Sequence, residues 1–268
     1  MSNSETYEVY AIRYGTFAER LRRDNFITPP DPHEGGMPID YFVWAIVNDD
    51  RTVVVDTGFD AEEGVRRNRT IERLPREGLE MIGVDAAKVE DVIITHLHYD
   101  HAGTLGDFPA ARFHIQDSEV TYATGRHMCQ PTFGHSYSCD HVVDLVRNVF
   151  AGRVAFHDGD GEVAPGITVH HVGGHTMGMQ FVCVTTRRGP LVLASDAAHF
   201  YENIHAGAPF PVVYNVADML EGHRRMHDMA GSADHVIPGH DPLVMTYYPA
   251  PKSNLNGVVA RLDVDPQS

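Results

Sequence analysis

The sequence predicts an α/β protein made of two similar halves, packed sheet to sheet with helices outside. Three observations carry this. Short apolar stretches of strand character alternate with segments of helical periodicity. Two of the strands, Thr52-Val53-Val54-Val55-Asp56 and Leu191-Val192-Leu193-Ala194-Ser195-Asp196, both end in an aspartate, a weak internal echo. No linker or low-complexity tract divides the 268 residues, so a single domain over 1–268 is expected.

Taken in order, strands are expected at Tyr7 to Tyr14, Tyr41 to Val47 and Thr52 to Asp56. Between the first two, Asn25 to Ile39 is rich in Pro and Gly and reads as a long irregular loop of the kind that walls a binding site. The arginines between Arg66 and Arg76 read as a solvated helical face, with an anion-binding patch as the alternative. Val92-Ile93-Ile94 reads as a buried strand, and Thr121 to His141 as a second irregular stretch. Asp140 to Val149 has helical spacing of apolar residues. Strands follow at Ile167 to Val172, Gln180 to Thr185 and Leu191 to Ala194. Val216 to Ala230 is a helix whose methionines serve as core filler, and His235 to Ile237 is a last short strand.

Hydrophobic residues make up 43% of the chain, enough for a sizeable core, while the net charge is −16. Such a field disfavours nucleic acid and anionic membranes, although a local basic pocket could override it. Three cysteines, an odd number in a chain with a core, argue against a disulfide framework; a Cys129–Cys139 pair is the lesser alternative. The N-terminus lacks a basic start and an apolar core, and no run approaches the ~18 apolar residues of a membrane span. A soluble cytoplasmic protein is expected, and exposed apolar loops are compatible with a homodimer.

Position must select among 18 histidines. The run His96-Leu97-His98-Tyr99-Asp100-His101 packs three imidazoles and a carboxylate into six residues at the end of an apolar strand. Core packing asks for nothing of the kind, whereas nitrogen and oxygen donors at this density suit a metal. Three more candidates stand at strand ends: His175 after Gly173-Gly174, Asp196 after Ser195, and His240 after Pro238-Gly239. Seven donors exceed what one zinc takes but divide between two metals when one carboxylate bridges them. His170 and His171 are read as structural, and His205, His223 and His227 as surface residues.

In that order, His-x-His-x-Asp-His, a Gly-His, an Asp closing a strand and a late Gly-His resemble the metallo-β-lactamase superfamily. Asp56-Thr57-Gly58 is similar to its early Asp-Thr-Gly turn, and the motifs span residues 52 to 241. His-Leu-His-Tyr-Asp-His-Ala-Gly and Gly239-His240-Asp241-Pro242 look most like the N-acyl-homoserine lactonase group. The resemblance implies an α/β fold of the αββα four-layer sandwich type. It also implies a first metal on His96, His98 and His175, a second on Asp100, His101 and His240, and Asp196 as the bridge. Asp56 would orient a ligand imidazole or the loop beneath it. Where the lactonases place a tyrosine three residues after the bridging aspartate, this chain has His199, and the nearest tyrosine is Tyr201.

The expected activity is therefore that of a dinuclear metal-dependent hydrolase, opening a lactone or ester by attack of a metal-bridging hydroxide on the carbonyl. Two divalent ions, zinc foremost, are the expected cofactors. Asp100 would pass a proton to the leaving oxygen, and His199 or Tyr201 would donate to the oxyanion. Asn25 to Ile39, the aromatics around Phe133, and Phe200 to Tyr214 would wall a pocket for a small, partly apolar substrate. The alternatives are a glyoxalase II-like thioesterase, for which the C-terminus offers only Lys252 and Arg261, and a mononuclear iron dioxygenase on the same fold.

Overall fold

A computed structural model describes residues 5–29, 31 and 33–267. Pro30 and Pro32, in the Pro/Gly-rich loop, lie outside the described residues. The first sheet contains β1 (Glu8–Phe17), β2 (Ile39–Val47), β3 (Thr52–Val55), β4 (Thr70–Ile71), β5 (Asp91–Ile93), β6 (Arg112–Gln116) and β7 (Val154–His157). The second contains β8 (Gly161–Ala164), β9 (Ile167–His171), β10 (Gln180–Thr186), β11 (Gly189–Ser195) and β12 (Val236–Pro238). A last strand, β13 (Val259–Arg261), returns to the first sheet, whose order is β13-β1-β2-β3-β5-β6-β7 with β4 on β1. The second sheet runs β12-β11-β10-β9-β8.

Strand periodicity explains the layering. Residues two apart share a face, yet β2 and β3 are buried on both faces. Phe42, Trp44, Ile46, Val53 and Val55 point one way, into a core shared with Ile167, Val169, Val182, Val184, Leu191 and Leu193 of the second sheet. Tyr41, Val43, Ala45 and Val54 point the other way. There they meet α2 (Pro75–Glu80) through Leu79 and α5 (Cys139–Phe150) through Val142 and Leu145. Strand β11 repeats the pattern: Val192 and Ala194 pack outward with Ile204 of α6 (Tyr201–His205) and Met226 of α7 (Val216–Met229). The result is helix, sheet, sheet, helix, as the sequence led one to expect.

Met219 and Met226 are both buried, consistent with their reading as core filler. Two expectations need correcting. The segment Arg66 to Arg76 is not one solvated helical face: α1 (Ala61–Arg67) ends at Asn68 in a left-handed conformation, β4 follows, and α2 begins at Pro75. His223 is buried rather than superficial, and its Nε2 donates to the Ala197 carbonyl at 2.9 Å, pinning α7 to the turn after β11. Elsewhere, Thr121 to His141 holds the end of α3 (Asp117–Ala123) and the one-turn α4 (Pro131–Gly134). A further short helix, α8 (Leu243–Tyr247), follows β12. The three cysteines are unpaired. Among the described residues no helix is long and apolar enough to cross a membrane.

Candidate metal centre

The C-terminal ends of β3, β5, β11 and β12 and the β9–β10 connection meet at one end of the sandwich. β3 and β5 are parallel, as are β11 and β12, so the residues that leave each pair emerge side by side. Two glycines permit the close approach. Gly174 has φ +84, and a Cβ there would stand 2.7 Å from the Met219 backbone. A Cβ on Gly239 would stand 2.6 Å from the Ser195 carbonyl. Each precedes a candidate ligand, so the Gly-His pairs are a packing requirement as well as a motif.

Donor atoms of His96, His98, His175 and Asp196 lie within 4.8 Å of one another, as do those of Asp100, His101 and His240. All seven side chains are buried. Asp196 joins the two groups with its two oxygens. Its Oδ2 is 3.3 Å from His175 Nε2 and 3.9 Å from His96 Nε2. Its Oδ1 is 3.0 Å from His240 Nε2 and 3.3 Å from His101 Nε2. Asp100 Oδ2 is 3.7 Å from Nε2 of both His101 and His240.

The outer nitrogens fix which lone pairs face inward. His175 Nδ1 donates to the Val212 carbonyl at 2.7 Å, and His240 Nδ1 to the Asp40 carbonyl at 2.8 Å. A carbonyl only accepts, so in the neutral ring Nε2 presents a lone pair to the interior. His101 Nδ1 donates to Asp56 Oδ2 at 2.7 Å with the same result. His98 Nδ1 and His175 Nε2 face each other at 2.9 Å.

His96 Nε2, His101 Nε2 and Asp196 Oδ1 are buried without a hydrogen-bond partner. Left so, each would cost about 1–3 kcal/mol. Coordination of a cation removes that cost, and the residues present fit one on each side of Asp196. Burial holds the imidazoles of His96, His98 and His175 below their ordinary basicity, which keeps them neutral as ligands must be. For His101 and His240 burial acts the same way, but the charges of Asp196 and Asp100 outweigh it and raise them. The same negative field would attract a metal.

Two supports brace the cluster. Asp56 accepts from Thr95 N and Oγ1, from His101 Nδ1 and from Ser195 Oγ, tying together the ends of β3, β5 and β11. Glu119 of α3, which sequence reasoning missed, accepts from Leu97 N, Tyr137 OH, Thr176 Oγ1 and Gly178 N. It thereby clamps the His96–His98 segment to the His175 loop.

The expected oxyanion donors fare differently. His199 lines the cavity, with its ring stacked 3.6 Å from that of Phe210, but its Nε2 donates to Asp196 Oδ2 at 2.9 Å. Burial drives its basicity down to about 3, so the ring is neutral and its one N–H is spent on Asp196. Tyr201 is a correction: it lies in a separate cavity with His205, Tyr247 and Tyr248, and its hydroxyl has no partner. As the first residue of α6 it starts a helical turn that carries it away from His199. The hydroxyl-bearing residues that do line the metal-facing cavity are Tyr41, Tyr99 and Ser136, with the two tyrosine oxygens 3.0 Å apart.

The cavity walls also depart from expectation. Among the described residues of the segments expected to form an apolar wall, only Ile39 and Val212 contribute apolar side chains. Phe200 belongs to the core under the first sheet, and Phe133 packs with Tyr122, His127 and Tyr214. Arg20, Arg67 and Arg69 line the cavity instead.

Residues 37–245 match the family profile of the metallo-beta-lactamase superfamily. An N-acyl homoserine lactonase from Bacillus sp is 29% identical over 133 residues, which is 49% of this chain and 48% of that protein. The chain thus aligns with about half the length of that relative. Among solved structures, a quorum-quenching N-acyl homoserine lactone lactonase superposes with a TM-score of 0.71 at 21% identity, covering 89% of this chain and 94% of its own. AidC, a dizinc quorum-quenching lactonase in complex with a product, superposes with a TM-score of 0.65 at 13% identity, covering 90% and 92%. With the family profile matched across most of its length and the four-layer sandwich in place, the chain belongs to the metallo-β-lactamase superfamily.

Proposed function

We propose that this chain is a dinuclear metal-dependent hydrolase that opens a lactone or ester. The observation that carries the reading is Asp196, one carboxylate with an oxygen facing each of two sets of inward-pointing histidine nitrogens. His96, His98 and His175 would hold one ion and Asp100, His101 and His240 the other, with Asp196 between them. The lactonases similar to this chain, one of them dizinc, support both the reaction class and zinc as the metal. When bound, such a pair supplies a nucleophilic hydroxide at neutral pH and polarises a carbonyl oxygen.

The chain's own residues do the rest. Asp100, at the cavity wall, is placed to carry a proton to the leaving oxygen. Tyr41 and Tyr99 line the cavity and their hydroxyls share a hydrogen bond, so the oxyanion contact falls to this pair rather than to Tyr201. His199 holds Asp196 in position through its single N–H. Asp56 and Glu119 keep the ligand loops in register.

The test is a hydrolysis screen of lactones, esters and thioesters on protein of measured metal content, with His98→Ala alongside. Lactone opening by the two-metal form, abolished in soluble His98→Ala, is expected. Thioester turnover alone, or full activity with one iron per chain, would contradict the proposal.

A further inference from the structure

In a chain of net charge −16 the cavity over the metal centre is lined by three arginines. They are not equivalent. Arg67 is already engaged: it shares the buried Glu63 with Arg66 and donates to the carbonyls of His135 and Tyr137. Arg20 and Arg69 have no carboxylate within ion-pair distance among the described residues. Arg20 donates from Nε to Asn25 Oδ1 and from Nη2 to the Asp24 carbonyl, 2.9 Å away. Arg69 donates from Nη1 to the Arg67 carbonyl at 2.8 Å and from Nε to Tyr99 OH at 3.3 Å, with its guanidinium carbon 3.9 Å from the centre of the Phe17 ring.

These contacts hold each guanidinium plane and leave one terminal nitrogen, Arg20 Nη1 and Arg69 Nη2, without a hydrogen bond among the described residues. The two groups also feel each other: burial lowers the basicity of Arg20, and the charge of Arg69 opposes its protonation further. Neither part-buried guanidinium is paired with a carboxylate among the described residues, so an anion entering the cavity would meet two positive groups. Two arginines with a free terminal N–H on the wall of one cavity can match the two oxygens of a carboxylate.

We propose that Arg20 and Arg69 form the specificity site of this enzyme, binding a carboxylate that the substrate carries besides its scissile ester. The inference rests on the hydrolase reading above and narrows it to a small anionic lactone or ester. The dimensions agree, since the cavity encloses about 100 Å³ and most of its lining is polar.

The test uses the zinc-loaded protein and two matched pairs of probes. The first pair is 5-oxotetrahydrofuran-2-carboxylate, a γ-lactone bearing a carboxylate, and its methyl ester, compared by rate of ring opening. The second is 2-hydroxyglutarate and 4-hydroxybutyrate, the ring-opened acids with and without the extra carboxylate, compared by calorimetric binding. Wild type is expected to favour the member of each pair that carries the extra carboxylate by about tenfold or more. Arg69→Gln and Arg20→Gln should each lower that ratio by about tenfold, through KM more than kcat, and Arg69→Lys should recover part of it. Equal treatment by wild type of the members with and without the extra carboxylate, or unchanged ratios in both Gln variants, would overturn the proposal whether or not the lactones turn over. Preferential binding of 2-hydroxyglutarate that depends on Arg69, without opening of either lactone, would leave the anion site standing and refute the lactonase reading.

Discussion

Asp56 and Asp196 follow equivalent strands in the two halves of the molecule, and both sites are conformationally strained: Asp56 itself has φ 61 and Ser195, just before Asp196, has φ 45. Their surroundings separate them. Both carboxylate oxygens of Asp56 are engaged by N–H and O–H donors of the protein. Asp196 Oδ1 has no hydrogen-bond partner, and it faces two imidazole nitrogens. One aspartate is a brace, and the other is left free for the role proposed above. What distinguishes them is the saturation of hydrogen bonds, which the similar local sequence does not reveal.

The comparison yields predictions of decreasing size. Asp196→Asn removes the charge shared by both cation sites, so kcat/KM should fall by about a thousandfold or more on the best substrate found. A loss below tenfold with metal content unchanged would break the distinction. Trp44→Ala, in the core between the sheets and away from the cavity, should cost about 3–5 kcal/mol in denaturant unfolding. It should leave the metal stoichiometry of the folded fraction intact; metal loss in step with stability would mean that the site and the core are not separable. Asp56→Asn keeps the shape of the brace but weakens its hold on His101. Metal affinity should drop about 10- to 100-fold, measured by chelator competition, with two ions still bound at saturation.

The smallest effect lies far from the site. Asp91, at the start of β5, accepts from His114 Nε2 at 2.8 Å, and this bond holds its carboxyl below the ordinary range despite burial. A carboxyl lowered on folding contributes stability above its unfolded pKa of about 3.9, and that stability is lost as pH falls through the lower folded value. Asp91→Asn should therefore flatten the fall in Tm between about pH 5 and pH 3. An unchanged acid limb would show that the bond carries no net stability.

Much of this was legible in the residues themselves. Strands such as β2, β3 and β11 announced themselves by continuous apolar runs, because they are buried on both faces, whereas β4, β6, β7, β8 and β13 are short or mixed with polar residues and went unread. Of the seven candidate donors, four stood out by density, His175 and His240 by their Gly-His context, and Asp196 by closing an apolar strand. What stayed hidden depends on contacts between distant segments. Glu119 looks like any helical glutamate until α3 brings it against Leu97 and Thr176. The arginine run looked like one solvated surface because the end of α1 at the left-handed Asn68 is not a periodicity signal. Only folding shows that Arg67 meets Glu63 while Arg69 turns to the cavity. Tyr201 attracted notice by its nearness in sequence to Asp196, whereas Tyr99 sat inside the histidine motif and does line the cavity.

The most direct test of the central claim is a zinc titration of metal-stripped protein, following bound metal per chain and hydrolytic rate together. The account predicts binding that saturates at two ions per chain, with the rate reaching its plateau only as the second site fills. Full activity at one ion per chain, with no second ion bound at saturation, would contradict it.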